Sequence, residues 1–280
     1  MHDVDGKSTI VRLPDLEQDS IQDTYTQVTT LQADKYVYLC IKEYFILINN
    51  NNSKCRLLWH GVQAEQVATL SGNKVSITSL ENECSKNINT LECKGEVKTG
   101  SWDPHHPSLV AITTGRHVAQ VWDIRSQQTG ASFIADGTLL DLDYNPNKPF
   151  HIVTSGTGCR LQFWDVRKCT TPIASVGGHK HWTWSAKYNR FHDQLILSSS
   201  SDRSVHLWRM SSISSTPSEH TKDTGNENGD GSVEVWEGFD ESVYSVAWSA
   251  CDSWIFTAVA YNGHVTVHEV PSAEKYKILL

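Results

Sequence analysis

The chain has 280 residues, 39% of them hydrophobic, and a mean hydropathy of -0.39, which is the composition of a globular protein with a buried core. A formal net charge of -8 without clustered Lys and Arg argues against a nucleic-acid partner. The longest apolar run falls short of the roughly 20 residues of a membrane-spanning helix, and the seven cysteines are scattered with no CxxC pair. We therefore expect a cytoplasmic protein with free thiols, no zinc site and no direct membrane insertion.

The first 58 residues form an atypical N-terminal segment. Residues 8–14 (STIVRLP) predict one remnant strand of the repeat unit that fills the rest of the chain. Residues 36–52 are a β-prone stretch that ends in four asparagines and does not follow that repeat. An exposed run of this kind would tend to aggregate.

Residues 59–280 are built from a repeat of about forty residues. A strand-like run with an aromatic residue recurs at intervals of 42, 44 and 60 residues, at Trp102, Tyr144, Tyr188 and Trp248. About 20 residues later each unit has a second landmark: Trp122-Asp123, Trp164-Asp165, Trp208 or His268. Short β-rich runs closed by Trp-Asp are typical of propeller blades. With an earlier unit around Trp59, the sequence predicts an all-β WD-repeat β-propeller of about five blades. If the protein has no further blades, we expect the propeller to be incomplete or open.

The most complete unit begins at Gly178 and predicts a buried polar tetrad. WD-repeat proteins place four interacting side chains at the positions occupied here by His179, Ser198, Asp202 and Trp208. A carboxylate that orients the imidazole, a serine hydroxyl and an indole N–H give every buried polar group a partner. We interpret the tetrad as structural, and a catalytic dyad of His179 and Asp202 is the alternative.

The other units are looser copies, and a polar insertion separates the last two. Arg116 and Gly158 occupy the position of Asp202, and His268 replaces the closing tryptophan, so these units should depend more on apolar packing. Residues 211–232 are rich in Ser, Gly, Asn and acidic residues, which predicts a flexible insertion between blades. A phosphorylation site among residues 211–218 is the alternative to a plain solvated loop.

The chain carries no recognisable catalytic motif. It lacks a Gly-rich phosphate loop, a GxSxG elbow and an HExxH sequence. The pairs His105–His106 and His179–His181 have no further ligands at metal-binding spacing. We therefore expect no enzyme activity, no metal, no cofactor and no small-molecule substrate.

One column of the repeat predicts a protein-binding surface. Where the first strand of a unit begins, two neighbouring units carry aromatic and charged residues, namely His181, Trp182 and Trp184 in one and Asp240, Glu241 and Tyr244 in the next. Amphipathic aromatic residues supply much of the binding energy at protein interfaces. Packing between neighbouring blades is the alternative explanation for the same residues.

A second docking signal is the sequence WDxR. It occurs twice, as residues 122–125 with Arg125 and as residues 164–167 with Arg167. It resembles the box by which some propellers attach to the adaptor of cullin-RING ubiquitin ligases, so a substrate receptor is the alternative function. Many WD repeats carry Arg at this position only as a surface residue at the end of a strand.

Several longer segments resemble one family of WD-repeat proteins, those that interact with the EARP and GARP tethering complexes. The segments are GSWDPHHP (100–107), LDYNPNK (142–148), GHKHWTW (178–184), HDQL (192–195), ESVYSVAWS (241–249) and KYKILL (275–280). The resemblance runs from Trp59 to the C-terminus. It implies a seven-bladed, non-enzymatic propeller whose partners are subunits of a multisubunit vesicle-tethering complex. It also implies a role in endosomal recycling and retrograde transport, with peripheral association with endosomes and the trans-Golgi network.

The chain departs from that family at its N-terminal end. Family members begin with additional blade sequence, so nearly two blades are expected to be missing here. A fragment, a splice form or a gene-prediction error would each explain the difference. A propeller that stayed open would expose unpaired strand edges.

Overall fold

A computed structural model of the chain describes residues 10–11, 28–29, 36–37, 45–49, 54–61, 63, 66–81, 84–216 and 230–279. These residues divide into two compact units, Met1–Lys98 and Thr99–Leu280. Both units are built from antiparallel strands. Among the described residues, a 3-10 helix at Ser211–Ile213 and the C-terminal helix α1 at Ser272–Leu279 are the departures from this pattern.

The first unit contains a two-stranded ribbon and a six-stranded sheet. The ribbon pairs β1 (Ile10–Val11) with β2 (Val28–Thr29). The sheet joins its strands in chain order: β3 (Tyr36–Val37), β4 (Phe45–Asn49), β5 (Lys54–Trp59), β6 (Gln66–Ser71), β7 (Lys74–Glu81) and β8 (Cys84–Glu92). Of the predicted remnant strand at residues 8–14, the described part is β1, and the rest lies outside the described residues. The predicted boundary between residues 58 and 59 falls inside β5.

The second unit contains four sheets that each pair their strands in chain order. The first has β9 (Val97–Trp102), β10 (Leu109–Thr114), β11 (Val118–Asp123) and β12 (Gln128–Ile134). The second has β13 (Leu139–Tyr144), β14 (His151–Gly156), β15 (Arg160–Asp165) and β16 (Ala174–Gly177). The third has β17 (Thr183–Tyr188), β18 (Leu195–Ser200), β19 (Val205–Arg209) and β20 (Gly231–Trp236). The fourth has β21 (Val243–Trp248), β22 (Ile255–Ala260) and β23 (Val265–Glu269). Four antiparallel strands in sequence order are the arrangement of a propeller blade.

The core of the second unit lies between successive sheets. Phe133 of the first sheet stacks on Trp164 of the second, with ring centroids 4.7 Å apart. Phe163 of the second sheet meets the edge of Tyr188 in the third at 6.3 Å. A third cluster joins Leu207 in the third sheet to Val246 and its neighbours in the fourth. Because the middle strands are covered on both faces, β14 and β18 are buried along their whole length.

A ladder of polar side chains links the first strands of three successive sheets. The carboxylate of Asp141 accepts hydrogen bonds from Thr99 Oγ1 at 3.2 Å and Ser185 Oγ at 2.9 Å. The same carboxylate pairs with Lys187 Nζ at 2.9 Å, and both side chains are buried. Since these residues lie one repeat apart, the ladder fixes each sheet against the next near the start of its first strand.

The structure describes both ends of the insertion predicted at residues 211–232. Ser212 donates from its backbone N and its hydroxyl to the carboxylate of Asp230, and Ser215 donates from both groups to Asp193 at 2.8 Å. From Gly231 the chain joins the third sheet as its outer strand β20. Hydrogen bonds to acidic side chains thus hold a polar segment that has little apolar surface to bury. Residues 217–229 lie outside the described residues.

The outer strand of the fourth sheet is β23, which pairs with β22. Its alternate side chains Val265 and Val267 are 62% and 68% exposed. The chain then turns into α1, where the buried Glu274 pairs with Arg209 of β19 at 2.7 Å. This ion pair ties the C-terminal helix to the third sheet.

Candidate functional site

The structure brings the four residues of the predicted tetrad together in the third sheet. Asp202 lies in the β18–β19 turn, and its Oδ2 is 3.0 Å from His179 Nδ1. His179 Nε2 is 2.7 Å from Ser198 Oγ, which also accepts the indole N–H of Trp208 at 2.8 Å. The consistent proton arrangement has Nδ1–H donating to Asp202 and the serine hydroxyl donating to Nε2. Both nitrogens of His179 are therefore engaged.

The electrostatics of the tetrad favour a neutral imidazole beside an ionised carboxylate. Burial lowers the pKa of His179, although the neighbouring Asp202 opposes this shift. Burial alone would raise the pKa of Asp202, but hydrogen bonds from Ser204 and from the backbone N of Lys180 outweigh it and hold the pKa below its usual value. Asp202 Oδ1 accepts from Ser204 Oγ at 2.5 Å, and Oδ2 accepts from Lys180 N at 2.8 Å. Because both ring nitrogens of His179 are hydrogen-bonded within the tetrad, neither is available to accept a proton from a substrate.

A fifth residue, His206, joins the four residues of the tetrad, although its position in the sequence gave no sign of a special role. Its ring centroid lies 4.1 Å from that of His179, and burial together with the neighbouring His179 lowers its pKa to about 4. Ligand atoms of His179, Asp202 and His206 all lie within 4.8 Å of one another, close enough for one metal ion. A metal would have to replace the proton on His179 Nδ1 and share a carboxylate that already accepts four hydrogen bonds.

A cavity of about 330 Å³ opens beside the tetrad. Its lining includes Asp202, Ser204 and His206 of the polar cluster, together with the basic side chain of Lys180 and a second acidic side chain, Glu237. The cavity therefore connects the buried polar cluster with the loop that leads into the fourth sheet.

The Trp-Asp landmarks of the first two sheets lie at the ends of β11 and β15. Trp164 is buried, and its indole N–H donates to Thr154 Oγ1 at 2.9 Å, which reproduces the bond between Trp208 and Ser198. Trp122 has Ile112 at the corresponding position, which offers no hydroxyl, and it donates instead to Gln120 Oε1 at 3.2 Å. Asp123 and Asp165 each accept a backbone N–H two residues ahead, from Arg125 and Arg167.

The fourth sheet has an apolar counterpart of the tetrad. Phe239 stands in the place of His179, and its ring faces His268 at 5.9 Å. Ala258 replaces Ser198, and His268 Nε2 interacts with Thr266 Oγ1 at 2.8 Å. The ring of Phe256 stacks on His268 at 5.2 Å. This sheet therefore replaces a polar chain by ring packing.

Four of the predicted protein-binding residues form one aromatic surface, which we define as His181, Trp182, Trp184 and Tyr244. Ring centroids along it are 5.2 Å apart between His181 and Trp182, 6.0 Å between Trp182 and Trp184, and 5.2 Å between Trp184 and Tyr244. The indole N–H of Trp184 donates to Ser201 Oγ at 2.6 Å, which fixes the central ring. The surface crosses from the third sheet to the fourth. Trp182 and Tyr244 remain 44% and 47% exposed, so packing between sheets covers only part of these side chains.

The remaining predicted binding residues, Asp240 and Glu241, are exposed in the loop before β21. A further aromatic residue, Tyr261, was missed by the sequence analysis. Its backbone N donates to Ser242 O at 2.8 Å, in the way that Ser201 N donates to Trp182 O in the third sheet. Tyr261 is 79% exposed at the same end of the fourth sheet. Tyr261 lies one repeat after Ser201 in the sequence, and this spacing could have predicted its position at that end of the fourth sheet.

The two WDxR arginines have different surroundings. Arg167 forms a bidentate pair with Asp165 at 2.9 and 2.7 Å, and its guanidinium lies 4.9 Å from the ring centroid of Phe150. These hydrogen bonds from Arg167 lower the pKa of Asp165 to about 2. Arg125 is exposed, and its backbone N–H caps the carboxylate of Asp123. Arg167 is thus held by its own sheet, as expected of a residue at the end of a strand.

Comparison with known proteins shows the family to which this chain belongs. A family profile described as "EIPR1 beta-propeller" matches residues 22–208, which is more than half of the chain. The chain belongs to the EIPR1 β-propeller family. A second profile, "WD domain, G-beta repeat", matches residues 230–269, from the residue before β20 to the end of β23. These matches confirm the predicted fold class, an all-β WD-repeat β-propeller.

Curated relatives carry names that describe an interaction. An "EARP-interacting protein homolog" of Gekko japonicus is 35% identical over 248 residues, and "EARP and GARP complex-interacting protein 1" of Homo sapiens is 34% identical over 255 residues. The alignments cover 80% and 82% of this chain and 64% and 66% of these relatives. A Danio rerio "EARP-interacting protein homolog" is 37% identical over 254 residues. This EIPR1-family chain thus spans about two thirds of the length of the curated relatives that it matches.

Both matched segments of the EIPR1-family chain contribute to the aromatic surface. Trp182 and Trp184 lie within the family match, and Tyr244 lies within the WD-domain match. No helix in the described part of the chain has the length and apolar character needed to span a membrane.

Proposed function

We propose that this chain is a non-enzymatic WD-repeat adaptor that binds the EARP and GARP vesicle-tethering complexes. The observation that carries this proposal is the similarity over about four fifths of the chain to proteins named for interaction with those complexes. In this role the chain acts in endosomal recycling and in retrograde transport to the trans-Golgi network. It works as a cytoplasmic protein that associates peripherally with these membranes through its protein partners.

The aromatic surface is the place where we propose that the partner binds. Partly exposed indole and phenol rings, fixed by one another and by Ser201, offer a large contact area at little cost in side-chain entropy. Inter-sheet packing alone would leave no reason for Trp182 and Tyr244 to remain nearly half exposed.

The tetrad supports a structural role over a catalytic one. A general base needs a nitrogen that can accept a proton from the substrate, whereas both nitrogens of His179 are held by Asp202 and Ser198. The hydroxyl of Ser198 is buried and shared between His179 and Trp208, so it is not presented to a substrate. The cluster keeps buried polar atoms paired within the third sheet.

Affinity purification from cells tests the proposal directly. The tagged chain and a double variant, Tyr244→Ala with Trp182→Ala, are expressed at equal levels. The proteins bound to each are identified by mass spectrometry. We expect subunits of the tethering complexes with the unmodified chain and a strong loss of them with the double variant. If tethering subunits are absent and the cullin-ligase adaptor is enriched instead, in a manner that Arg125→Ala and Arg167→Ala abolish, the substrate-receptor function replaces this one.

A further inference from the structure

The part of the chain that runs from β20 through the fourth sheet to α1 has an unusual charge distribution. Between Asp230 and Glu274 the sequence contains eight carboxylates and neither Lys nor Arg: Asp230, Glu234, Glu237, Asp240, Glu241, Asp252, Glu269 and Glu274. Residues 13–34 are a second stretch with five carboxylates and neither Lys nor Arg. Glu269 pairs with Lys275, and Glu274 pairs with Arg209 and Lys277, so the other six carboxylates determine the local charge. A segment of one sign creates a local field that selects partners of the opposite sign.

Three of these carboxylates lie in one exposed loop, residues 237–241, which we name the acidic loop. It contains Glu237, Asp240 and Glu241, and it leads directly into β21 with Tyr244. Glu237 lines the same cavity as Lys180, so a basic group is already near it. Among the described residues, Asp240 and Glu241 take part in no ion pair, and both are exposed. Their charges are therefore available to a partner.

The aromatic surface ends at this loop. Trp184 and Tyr244, 5.2 Å apart, carry the run of rings from the third sheet to the fourth, and Tyr244 lies three residues beyond Glu241. Aromatic faces next to carboxylates suit Lys and Arg, because the cation can lie over a ring while its charge is paired. The exposed basic residues Lys180 and Arg203 belong to the third sheet, whereas the exposed Asp240 and Glu241 directly precede the first strand of the fourth.

We propose that the aromatic surface and the acidic loop together bind a partner segment that carries lysine or arginine. Apolar parts of the segment pack against Trp182 and Trp184, and its cation lies over Tyr244 and pairs with Asp240 and Glu241. Nucleic acid and anionic lipid do not fit, because their phosphates would be repelled by the acidic loop. This inference rests on the proposed binding function for the location of the surface and adds the chemistry of the partner.

A peptide selection tests the partner chemistry without assuming which protein is bound. The immobilised full chain is offered a phage-displayed library of random peptides, and the selected peptides are measured by fluorescence anisotropy. We expect selected peptides enriched in Lys and Arg. Tyr244→Ala and Trp182→Ala should each weaken their binding by about tenfold or more, as for residues at the centre of an interface. Tyr276→Ala, which removes a 64% exposed tyrosine from α1, is the matched control and should leave the affinity unchanged.

The charge component is tested by the double variant Asp240→Asn, Glu241→Gln. We expect a loss of about fivefold to tenfold at low ionic strength that shrinks as salt is added, because exposed charges are screened within about 10 Å at 0.1 M. Arg203→Gln removes a nearby charge of the opposite sign and should leave binding unchanged or tighten it. Selection of peptides without basic residues, failure to select any peptide, or equal affinity for the wild type and the double variant would overturn the inference.

The result separates this inference from the proposed function. If basic peptides bind at the surface but tethering subunits do not co-purify, the partner chemistry stands and the proposed function fails. If tethering subunits co-purify equally with the wild type and with the variants of the aromatic surface and acidic loop, the adaptor function stands, but its location on the aromatic surface and this inference both fail.

Discussion

Lys187 Nζ lies 2.9 Å from Asp141 Oδ2, and this buried ion pair joins the first strands of the second and third sheets. Thr99 and Ser185 donate to the same carboxylate from the first and third sheets. Asp141 therefore forms both an ion pair and hydrogen bonds, and through them it links the first strands of three sheets. Trp248 of the fourth sheet donates to the backbone O of Lys187 at 3.1 Å, so the linkage continues by one more sheet.

Replacing Lys187 by Met should destabilise the second unit by about 3 to 5 kcal/mol, because it leaves the buried carboxylate of Asp141 without its counter-charge. The double variant Asp141→Leu, Lys187→Met should lose less, since no uncompensated charge remains. Urea unfolding followed by circular dichroism measures both. Lys74→Met removes a partner of the exposed Glu92 and should cost less than about 1 kcal/mol. Equal losses for Lys187→Met and Lys74→Met would contradict this account.

Asp143 should make stability fall as the pH rises from about 4 to 7. Removal from water raises its pKa to about 6, with Asp141 adding to the shift while Lys187, the backbone N–H of Tyr188 and Arg190 oppose it. The folded state thus binds this proton more tightly than the unfolded state, so the stabilisation is complete below pH 4 and is lost as the pH passes 6. The loss would reach up to about 3 kcal/mol at pH 7.

The check on Asp143 is a difference measurement, because other carboxylates titrate in the same range. The free energy of unfolding of the wild type and of Asp143→Asn is measured from pH 4 to 7. We expect the wild type to lose stability relative to the variant over this range. A difference that stays constant with pH would show that Asp143 titrates as an ordinary surface carboxylate.

Much of the fold and of the candidate site follows from local sequence. The middle strands β14 and β18 are covered on both faces, so they are continuous apolar runs that the repeat interval makes visible. His179, Ser198, Asp202 and Trp208 could be assigned because one blade retains the full pattern at fixed spacing. Trp184 and Tyr244 could be placed on one face because they share a column of that repeat, and Trp182 lies two residues earlier on the same face.

Other features depend on contacts that no local pattern reveals. The aromatic landmark and the Trp-Asp landmark mark inner strands of each unit, whereas the first three sheets of the second unit also have a fourth, outer strand. The outer strand β16 is short and only half-buried at alternate positions, so its hydrophobic signal is weak. His206 becomes part of the tetrad cluster only because the loop that carries His179 returns beside β19. The pairing of Asp141 with Lys187 crosses between two repeats, so neither residue shows it alone.

Ser198→Ala should destabilise the second unit by about 1 to 3 kcal/mol. It removes the acceptor of the Trp208 indole N–H and the donor to His179 Nε2, and both groups are buried. Thr154→Ala removes the acceptor of Trp164 and a 3.3 Å hydrogen bond to Gln162 O, and it should cost less because it leaves no imidazole nitrogen without a partner. Thermal unfolding measures both, with Ser132→Ala on the exposed face of β12 as the control. If His179 and Asp202 were catalytic, their removal would abolish an activity without lowering the melting temperature, so a parallel fall in melting temperature identifies a structural role.

Arg203→Gly should stabilise the protein, because Arg203 occupies a left-handed turn position that favours glycine. Its φ is 65°, and the equivalent turns of the first and fourth sheets have Gly115 at 68° and Gly263 at 83°. A side chain in this region costs about 1 to 2 kcal/mol, partly offset by the greater freedom of glycine in the unfolded chain, so we expect a gain of about 0.5 to 1 kcal/mol. The reverse change, Gly263→Ala, should destabilise by a similar amount. A Cβ at position 263 would meet no atom within 4 Å, so its effect reports backbone strain alone. The midpoint of urea unfolding should therefore rise for Arg203→Gly and fall for Gly263→Ala, and shifts of the same sign would reject strain in the turn as the cause.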